Sequence, residues 1–469
     1  MPATTLLIHG TASVVGKSVV AAALARLFWC AGRRVVPFKA QNLSLNAVVA
    51  AGTLPGEPEG EIGWAQALQA AACGLSPTLD MNPVLLKPTA GGCQRILRGR
   101  VADDAAYGNY SPGELLMVRE ALERLRAAHD LVLIEGAGSP AELNLLDRDL
   151  ANGKVADWTD GPILLVGDIS AGGVFAALYG TWALSPHRER IRGFIINKLH
   201  GGAEPLAAGV AELERRTGVP TLGVIPNGDP GLGQEDSLGL CGGANDGWGL
   251  RVAVVRLPHI SNTTDFEELA RWPGVSLRYV WSEAELRSAQ VIILPGTKST
   301  VADLDAMRAE GLAKIVAQRV HQGVSVLGIC GGYQMLGQAI HDPFGVESAP
   351  GSVQGLGLLP VETWFDTAKR TETRPEGYFI HHGRTRLLDG DDGDWPDDAE
   401  GCCRGRVAGT ALHGWLRGPA LAEWVRQWQR WNGAEPAYHP AGPDLEQRLQ
   451  AWAELVRSNL DWNCVRQLA

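Results

Sequence analysis

Two stretches of this sequence hold residues whose types and spacing could do chemistry. The first is "LLIHGTASVVGKSVV", where the apolar run Leu6–Ile8 enters a loop of small residues that ends in Gly16-Lys17-Ser18. Small loop residues let backbone N–H groups point at phosphate oxygens, and the helix that follows adds its positive end. Lys17 is placed to neutralise the terminal phosphates and Ser18 to ligate magnesium. The strict phosphate-loop spacing puts glycine at position 11, but Thr11 stands there and the glycine is Gly10. The second stretch is "VLGICGGYQML", an apolar strand leading through Gly-Ile-Cys-Gly-Gly into an amphipathic segment. That is the strand–elbow–helix pattern that exposes a nucleophile, and a helix N-terminus favours thiolate, which marks Cys330.

Each stretch needs partners. For the phosphate loop, "DLVLIEGAGSP" puts Glu135 at the end of an apolar strand, where open α/β sheets bind ligands, and so makes it a magnesium candidate. Asp168 in "LLVGDIS" ends the next strand and is a weaker one. Lys39 in "VVPFKAQN" could reach a γ-phosphate or a substrate carboxylate, or lie at the surface. Asn197 in "FIINKL" could read a base edge or cap a turn. For the thiolate, "GTALHGWL" offers His413 as base, with His381 and His382 of "IHHG" as rivals. A catalytic histidine is commonly oriented by a carboxylate, but Trp415 stands two residues beyond His413 and supplies none, so either a Cys–His dyad or an acid from elsewhere is required. The backbone N–H groups of Gly296, in "IILPGTKST", and Gly331 are the oxyanion-hole candidates.

The elements that must hold these residues read as two α/β halves. The chain has 469 residues, 45% of them hydrophobic, enough for more than one core. In the first half "RRVVPFKA", "DLVLIEGAG", "GPILLVGDI", "RGFIINKL" and "PTLGVIPN" alternate with helical patterns such as "PGELLMVREALERLRAA". Runs that are apolar on both faces suit a parallel, doubly wound sheet. A Gly-, Asp- and Asn-rich connection follows Pro226, and the alternation restarts with "RVAVVRLP", "VSLRYV", "AQVIILPG" and "VSVLGICGG". The expected division is an ATP-binding unit over 1–235 and a second unit over 250–469. The stretch from about Trp364 to Arg404 reads as irregular, and a Trp-rich helical tail ends the chain. A net charge of −10 and the lack of a long basic run disfavour nucleic acid as partner. No apolar run is long enough for a membrane span, the N-terminus does not read as a signal peptide, and no cysteine pair has CxxC spacing. A reduced, cytoplasmic protein is expected.

"GTASVVGKS", "PFKAQNLSLN", "MNPVLLKPT", "IEGAGSPAELNL", "GGVFAALYGT", "GFIINK", "RLPHISNTTDF", "LPGTKSTVADL", "GICGGYQMLG", "IHHGRT" and "LHGWL" occur in this order. Together they resemble the cobyric acid synthase family, the glutamine-dependent amidase-ligases of cobalamin biosynthesis, from about Leu6 to Leu416. The resemblance implies a dethiobiotin-synthetase-like phosphate-loop domain, whose loop has one extra residue, which accounts for Gly10 and Thr11. It also implies a class I glutamine amidotransferase domain that lacks the carboxylate after its histidine. ATP with Mg2+ and glutamine as nitrogen donor are the implied cofactors. The implied substrate is a corrinoid, adenosyl-cobyrinic acid a,c-diamide, amidated at its b, d, e and g carboxylates. Gly10, Thr11, Gly16, Lys17, Ser18, Lys39 and Asn197 are implied to bind ATP, Ser18 and Glu135 the metal, and Gln41, Asn42, Asn46 and Lys87 the substrate. Cobyrinic acid a,c-diamide synthase shares both domain types, but "FKAQNLSLN" favours cobyric acid synthase. A partition-type ATPase would leave Cys330 idle, and a weakened relative kept as a binding protein is a further alternative. A homo-oligomer is compatible with the resemblance. Val14, Trp64, Leu146, Ser170, Ala171 and Phe379 stand where the family usually has polar or charged residues, so a weakened activity or an altered substrate is an open outcome.

Overall fold

A computed structural model describes residues 3–102, 108–229, 231–232, 249–388, 400–433 and 442–469. Most of the connection expected after Pro226 lies outside these residues. The first half is built on a six-stranded parallel sheet in the order Thr221–Pro226, Ile191–Leu199, Ile163–Asp168, Thr4–Gly10, Leu131–Glu135, Val35–Phe38. Its central strands are buried throughout, as continuous apolar runs require. Chain order reverses beside Thr4–Gly10, which is flanked by the strands ending in Glu135 and Asp168. The phosphate loop therefore opens at the switch point, where such sheets bind ligands.

The second half carries another six-stranded sheet, in the order Val275–Val280, Leu250–Val255, Val291–Leu294, Ser325–Ile329, Val407–Thr410, Gly401–Arg404. Only the last, edge pairing is antiparallel. The stretch read as irregular is a correction. Val361–Arg374 and Gly377–Leu387 form a long antiparallel hairpin in a separate four-stranded sheet. Its strands are rich in charged residues and lack apolar alternation, so cross-strand pairing and a few buried anchors, Phe365, Phe379 and Ile380, hold it.

The tail does not stay with the second half. Leu445–Ser458 and Trp462–Leu468 pack on the first sheet, where Trp452, Val456 and Val465 join Val20, Leu24 and Phe28 of the helix Lys17–Cys30 in one core. Burying each of the three side chains stabilises this docking by about 1.5–3 kcal/mol. Trp452 Nε1 donates to Val19 O at 2.8 Å, and Arg26 pairs with Glu446. The helix behind the phosphate loop thus rests on the C-terminus of the chain. A small hairpin of the first half, Ala47–Ala50 with Gly60–Gly63, faces the second half and shares a core with its Tyr378 and Ile380.

Candidate functional site

Cys330 sits at the expected elbow. Its backbone has φ 50° and ψ −108°, a conformation that L-residues avoid, at the junction between Ser325–Ile329 and the helix Gly331–Leu336. Such strain is held only where the surroundings over-determine it. Here Cys330 N–H donates to Thr410 O at 2.8 Å, and Gln334 N–H donates to Cys330 O at 3.0 Å. The strands on either side supply the neighbours. Val407–Thr410 leads to His413, and Val291–Leu294 leads to Gly296. A Cβ on Gly296 would lie 2.8 Å from His413 Cε1, so only glycine lets that loop approach the ring. Gly331 follows Cys330 directly as the first helical residue.

The acid required from elsewhere is Asp265. Its Oδ2 lies 2.7 Å from His413 Nδ1, and its Oδ1 accepts Gly414 N–H at 2.7 Å. Asp265 and His413 are both 1% exposed. Burial works against the imidazolium, but the charges of Asp265 and Cys330 outweigh it and raise the His413 pKa to about 10. His413 and Cys330 thus form the Cys–His–Asp arrangement in which histidine moves protons and the acid orients it. Asp265 comes 148 residues before His413, in the short helix Thr263–Phe266, so no local spacing pointed to it.

The rival histidines line the same cavity as Cys330 and His413. Each commits Nδ1 to a backbone carbonyl, His381 to Gly383 at 2.6 Å and His382 to Asp366 at 3.0 Å. Burial lowers their pKa values to about 3 and about 4, so they stay neutral and lack the acid partner that His413 has. Lys87, implied by the resemblance to bind substrate, enters this cavity wall from the first half. It pairs with the fully buried Glu61, which also holds Lys369 of the second half. Burial pushes the Glu61 pKa up, but the two ammonium groups prevail and hold it at about 2.

In the first half the phosphate loop, Glu135 and Lys39 meet. Ser18 Oγ donates to Glu135 Oε1 at 2.8 Å, Lys39 Nζ reaches the same oxygen at 2.8 Å, and Gln69 Nε2 donates to Oε2 at 2.5 Å. Gln69 is a member of this cluster that sequence reasoning missed. Lys17 Nζ bonds to Ala12 O at 2.9 Å and Gly138 O at 3.3 Å, and so spans the loop and the turn after Glu135. Gly10 ends the central strand and Thr11 N–H donates to Val166 O at 2.9 Å. Asn197 braces the loop, with Nδ2 donating to Val15 O at 2.9 Å, and a Cβ on Gly16 would collide with it at 2.1 Å. Asp168 is engaged by Lys198 at 2.7 Å. Val14 is 52% exposed at φ 62°, strained for a β-branched residue on the loop itself.

The buried hydroxyl and carboxylate of Ser18 and Glu135 are hard oxygen donors that fit magnesium. Among the described residues no cluster of three or more His, Cys, Asp or Glu side chains could hold a metal ion. Gln41 and Asn42 are buried on the short strand Gln41–Leu43, which pairs with Val84–Thr89 in a separate sheet. Gln41 Oε1 accepts from Tyr110 Oη at 2.5 Å, and Asn42 Nδ2 donates to Gln66 Oε1 at 3.1 Å. Asn46 reaches across to Thr263 of the second half. No helix among the described residues is long and apolar enough to cross a membrane.

Comparison with known proteins covers both halves. Residues 6–230 match the family described as the CobQ/CobB/MinD/ParA nucleotide binding domain, and residues 251–420 match the CobB/CobQ-like glutamine amidotransferase domain. The chain is 41% identical to the cobyric acid synthase of Desulforamulus reducens, with 99% of this chain and 98% of that protein covered. It is 44% identical to the cobyric acid synthase of Rhodococcus jostii, with 99% and 95% covered. Identity to the probable cobyric acid synthase of Halobacterium salinarum is 46% over 87% of each chain.

Proposed function

Since the chain belongs to the cobyric acid synthase family, we propose that it converts the b, d, e and g carboxylates of adenosyl-cobyrinic acid a,c-diamide to amides. It is a glutamine-hydrolysing ligase of cobalamin biosynthesis that uses ATP. The observation that supports coupling glutamine hydrolysis to ATP-driven amidation is the presence in one chain of two constellations, Cys330–His413–Asp265 and Lys17–Ser18–Glu135–Lys39, while the choice of corrinoid rests on "FKAQNLSLN" and on the cobyric acid synthase relatives. We assign the ligase unit to 1–235 and the glutaminase unit to 250–469, with the last two helices docked back on the ligase.

In the glutaminase, the Cys330 sulfur attacks the side-chain amide carbon of glutamine. The N–H groups of Gly296 and Gly331 receive the oxyanion. His413 gives its proton to the departing nitrogen, and ammonia and a glutamyl thioester result. Water, losing a proton to His413, then releases glutamate. In the ligase, a corrinoid carboxylate attacks the γ-phosphorus of ATP in line, forming an acyl phosphate and ADP. Lys17 and the loop N–H groups stabilise the charge on the phosphates. Magnesium held by Ser18 and Glu135 would supply further charge neutralisation. Ammonia attacks the acyl carbon and phosphate leaves with the C–O bond electrons. A free carboxylate holds its oxygen too tightly to be displaced by ammonia, so the carboxylate must first be phosphorylated. Gln41 and Asn42 are the substrate-facing residues in this scheme. A reaction that consumes ATP and glutamine and needs a reduced thiol belongs in the cytoplasm.

Mass analysis of the corrinoid product after incubation with ATP and glutamine tests this reaction. Each amidation exchanges a hydroxyl for an amino group, so the masses count the sites. The full b, d, e, g set supports the assignment. Conversion of cobyrinic acid to its a,c-diamide alone would place the chain with the neighbouring diamide synthases, and no conversion would leave a binding role.

The third member of the triad has its own signature. Asp265→Asn keeps the shape but removes the charge that opposes burial of the His413 imidazolium. Because the raised pKa keeps His413 protonated up to about pH 10, the alkaline limb of kcat/KM for glutamine hydrolysis is expected near 10 in the wild type and nearer 6.5 in the variant. The rate is expected to fall about a hundredfold or more. An unchanged limb would remove Asp265 from the mechanism.

A further inference from the structure

The half that activates the carboxylate also touches the residues that orient His413, and it does so through one short segment. Asn46 is 1% exposed and clasps Thr263: its Oδ1 accepts Thr263 N–H at 3.1 Å, and its Nδ2 donates to Thr263 Oγ1 at 3.3 Å. The next residue continues the contact, with Ala47 N–H donating to Asn262 Oδ1 at 3.0 Å. Asn262 is itself held at φ 53°, and its carbonyl accepts the N–H of Asp265 at 3.0 Å. One turn of chain therefore carries both the clasped residues and the acid that holds His413 Nδ1.

The other side of the imidazole is supported from the same hairpin. Tyr378 stacks on His413 with centroids 5.5 Å apart and planes at 23°, and the two residues exchange backbone hydrogen bonds of 2.9 Å in both directions. Behind Tyr378 lie Ala47, Val48, Val49 and Ile62, all from the hairpin of the first half. Glu61 of its return strand and Glu59 just before it fix the same long hairpin of the second half, Glu59 by accepting Thr373 N–H at 3.0 Å and Glu61 through Lys369. A surface that only joined two domains would have no need to converge on one imidazole from both its acid side and its stacked face.

We propose that Asn46–Gly63 is a positioning element of the glutaminase: the ligase half, through Asn46 and the Ala47–Gly63 hairpin, holds Asp265 and Tyr378 where they orient His413. This rests on the glutaminase reading of Cys330 and His413 and deepens it. It gives Asn46, which the family resemblance implied to lie beside the substrate, a role in the other half's reaction. Asn46 acts on Asp265 through Thr263, and its neighbour Ala47 through Asn262. A displacement of an ångström in such a support is enough to slow a reaction by about ten- to a hundredfold.

The test is Asn46→Ala in the full chain, with three readouts. Glutamate release from glutamine is expected to fall about tenfold or more in kcat. The alkaline limb of its pH profile, set by His413 among Asp265, Cys330 and Tyr378, is expected to move down from about 10 toward 6.5. In the ammonia-supported reaction the KM for the corrinoid is expected to match wild type. If Asn46 contacts the corrinoid instead, that KM rises while glutamine hydrolysis keeps its rate and its limb, and the proposal fails. It also fails if both reactions drop together with Tm and the limb stays near 10, since that is loss of fold and not of orientation. The underlying assignment fails differently, with wild-type enzyme releasing no glutamate or amidating no corrinoid.

Discussion

Cys330→Ala is expected to abolish amidation with glutamine as nitrogen source and to leave amidation with ammonium salts intact. The two constellations belong to different sheets, one at the end of Ser325–Ile329 and the other at the end of Thr4–Gly10. Removing the sulfur deletes the bond that releases ammonia, and loss of a nucleophile costs on the order of a millionfold in rate. Nothing in the ligase half depends on that sulfur. Alanine is smaller and leaves the cavity wall otherwise unchanged, although it must accept the φ of 50° that Cys330 adopts. The check is a pair of assays on one preparation, corrinoid amide formed with glutamine and with ammonium salt. Retained glutamine-dependent amidation would show that another group attacks glutamine.

Lys17→Ala is expected to abolish amidation from both nitrogen sources while glutamine hydrolysis survives. The lysine is 5% exposed and bridges the phosphate loop to the turn after Glu135. Its ammonium is aimed at the place where negative charge shifts during phosphoryl transfer, and loss of one such preorganised donor costs about a hundredfold to a thousandfold. ADP formation and corrinoid amide should fall together. Ammonia-supported turnover at the wild-type rate would remove Lys17 from phosphate binding. Together, the two variants separate the halves: one loses the nitrogen supply, the other the carboxylate activation.

What could be read from the sequence follows the range of the physics involved. Gly16-Lys17-Ser18, the Cys330 elbow and the strand ending in Glu135 are local patterns, each set by a strand, a tight turn and a helix start, and each lies where those patterns put it. The parallel sheets follow from runs that are apolar on both faces. Asp265 could not be found this way, because its partner is far along the chain and a carboxylate in a short turn has many uses. For Lys87 and Asn46 the family resemblance implies a place beside the substrate, and both reach the interface between the halves, which only the assembled chain defines. The charged hairpin Val361–Leu387 has no apolar alternation to betray it, since pairing between its strands does the work that burial does elsewhere. The last two helices illustrate the same limit, for their apolar stripes say that they pack but not against which sheet.

Transfer of nitrogen from glutamine to an ATP-activated carboxylate within one chain can be followed in one reaction, with glutamine labelled with heavy nitrogen at its side-chain amide, ATP, and a corrinoid whose carboxylates carry heavy oxygen. Heavy nitrogen is expected in every new corrinoid amide, with one ADP per amide and heavy oxygen transferred from carboxylate to the released phosphate. Heavy nitrogen left in glutamine while corrinoid is amidated, or phosphate released without the carboxylate oxygen, would rule this transfer out.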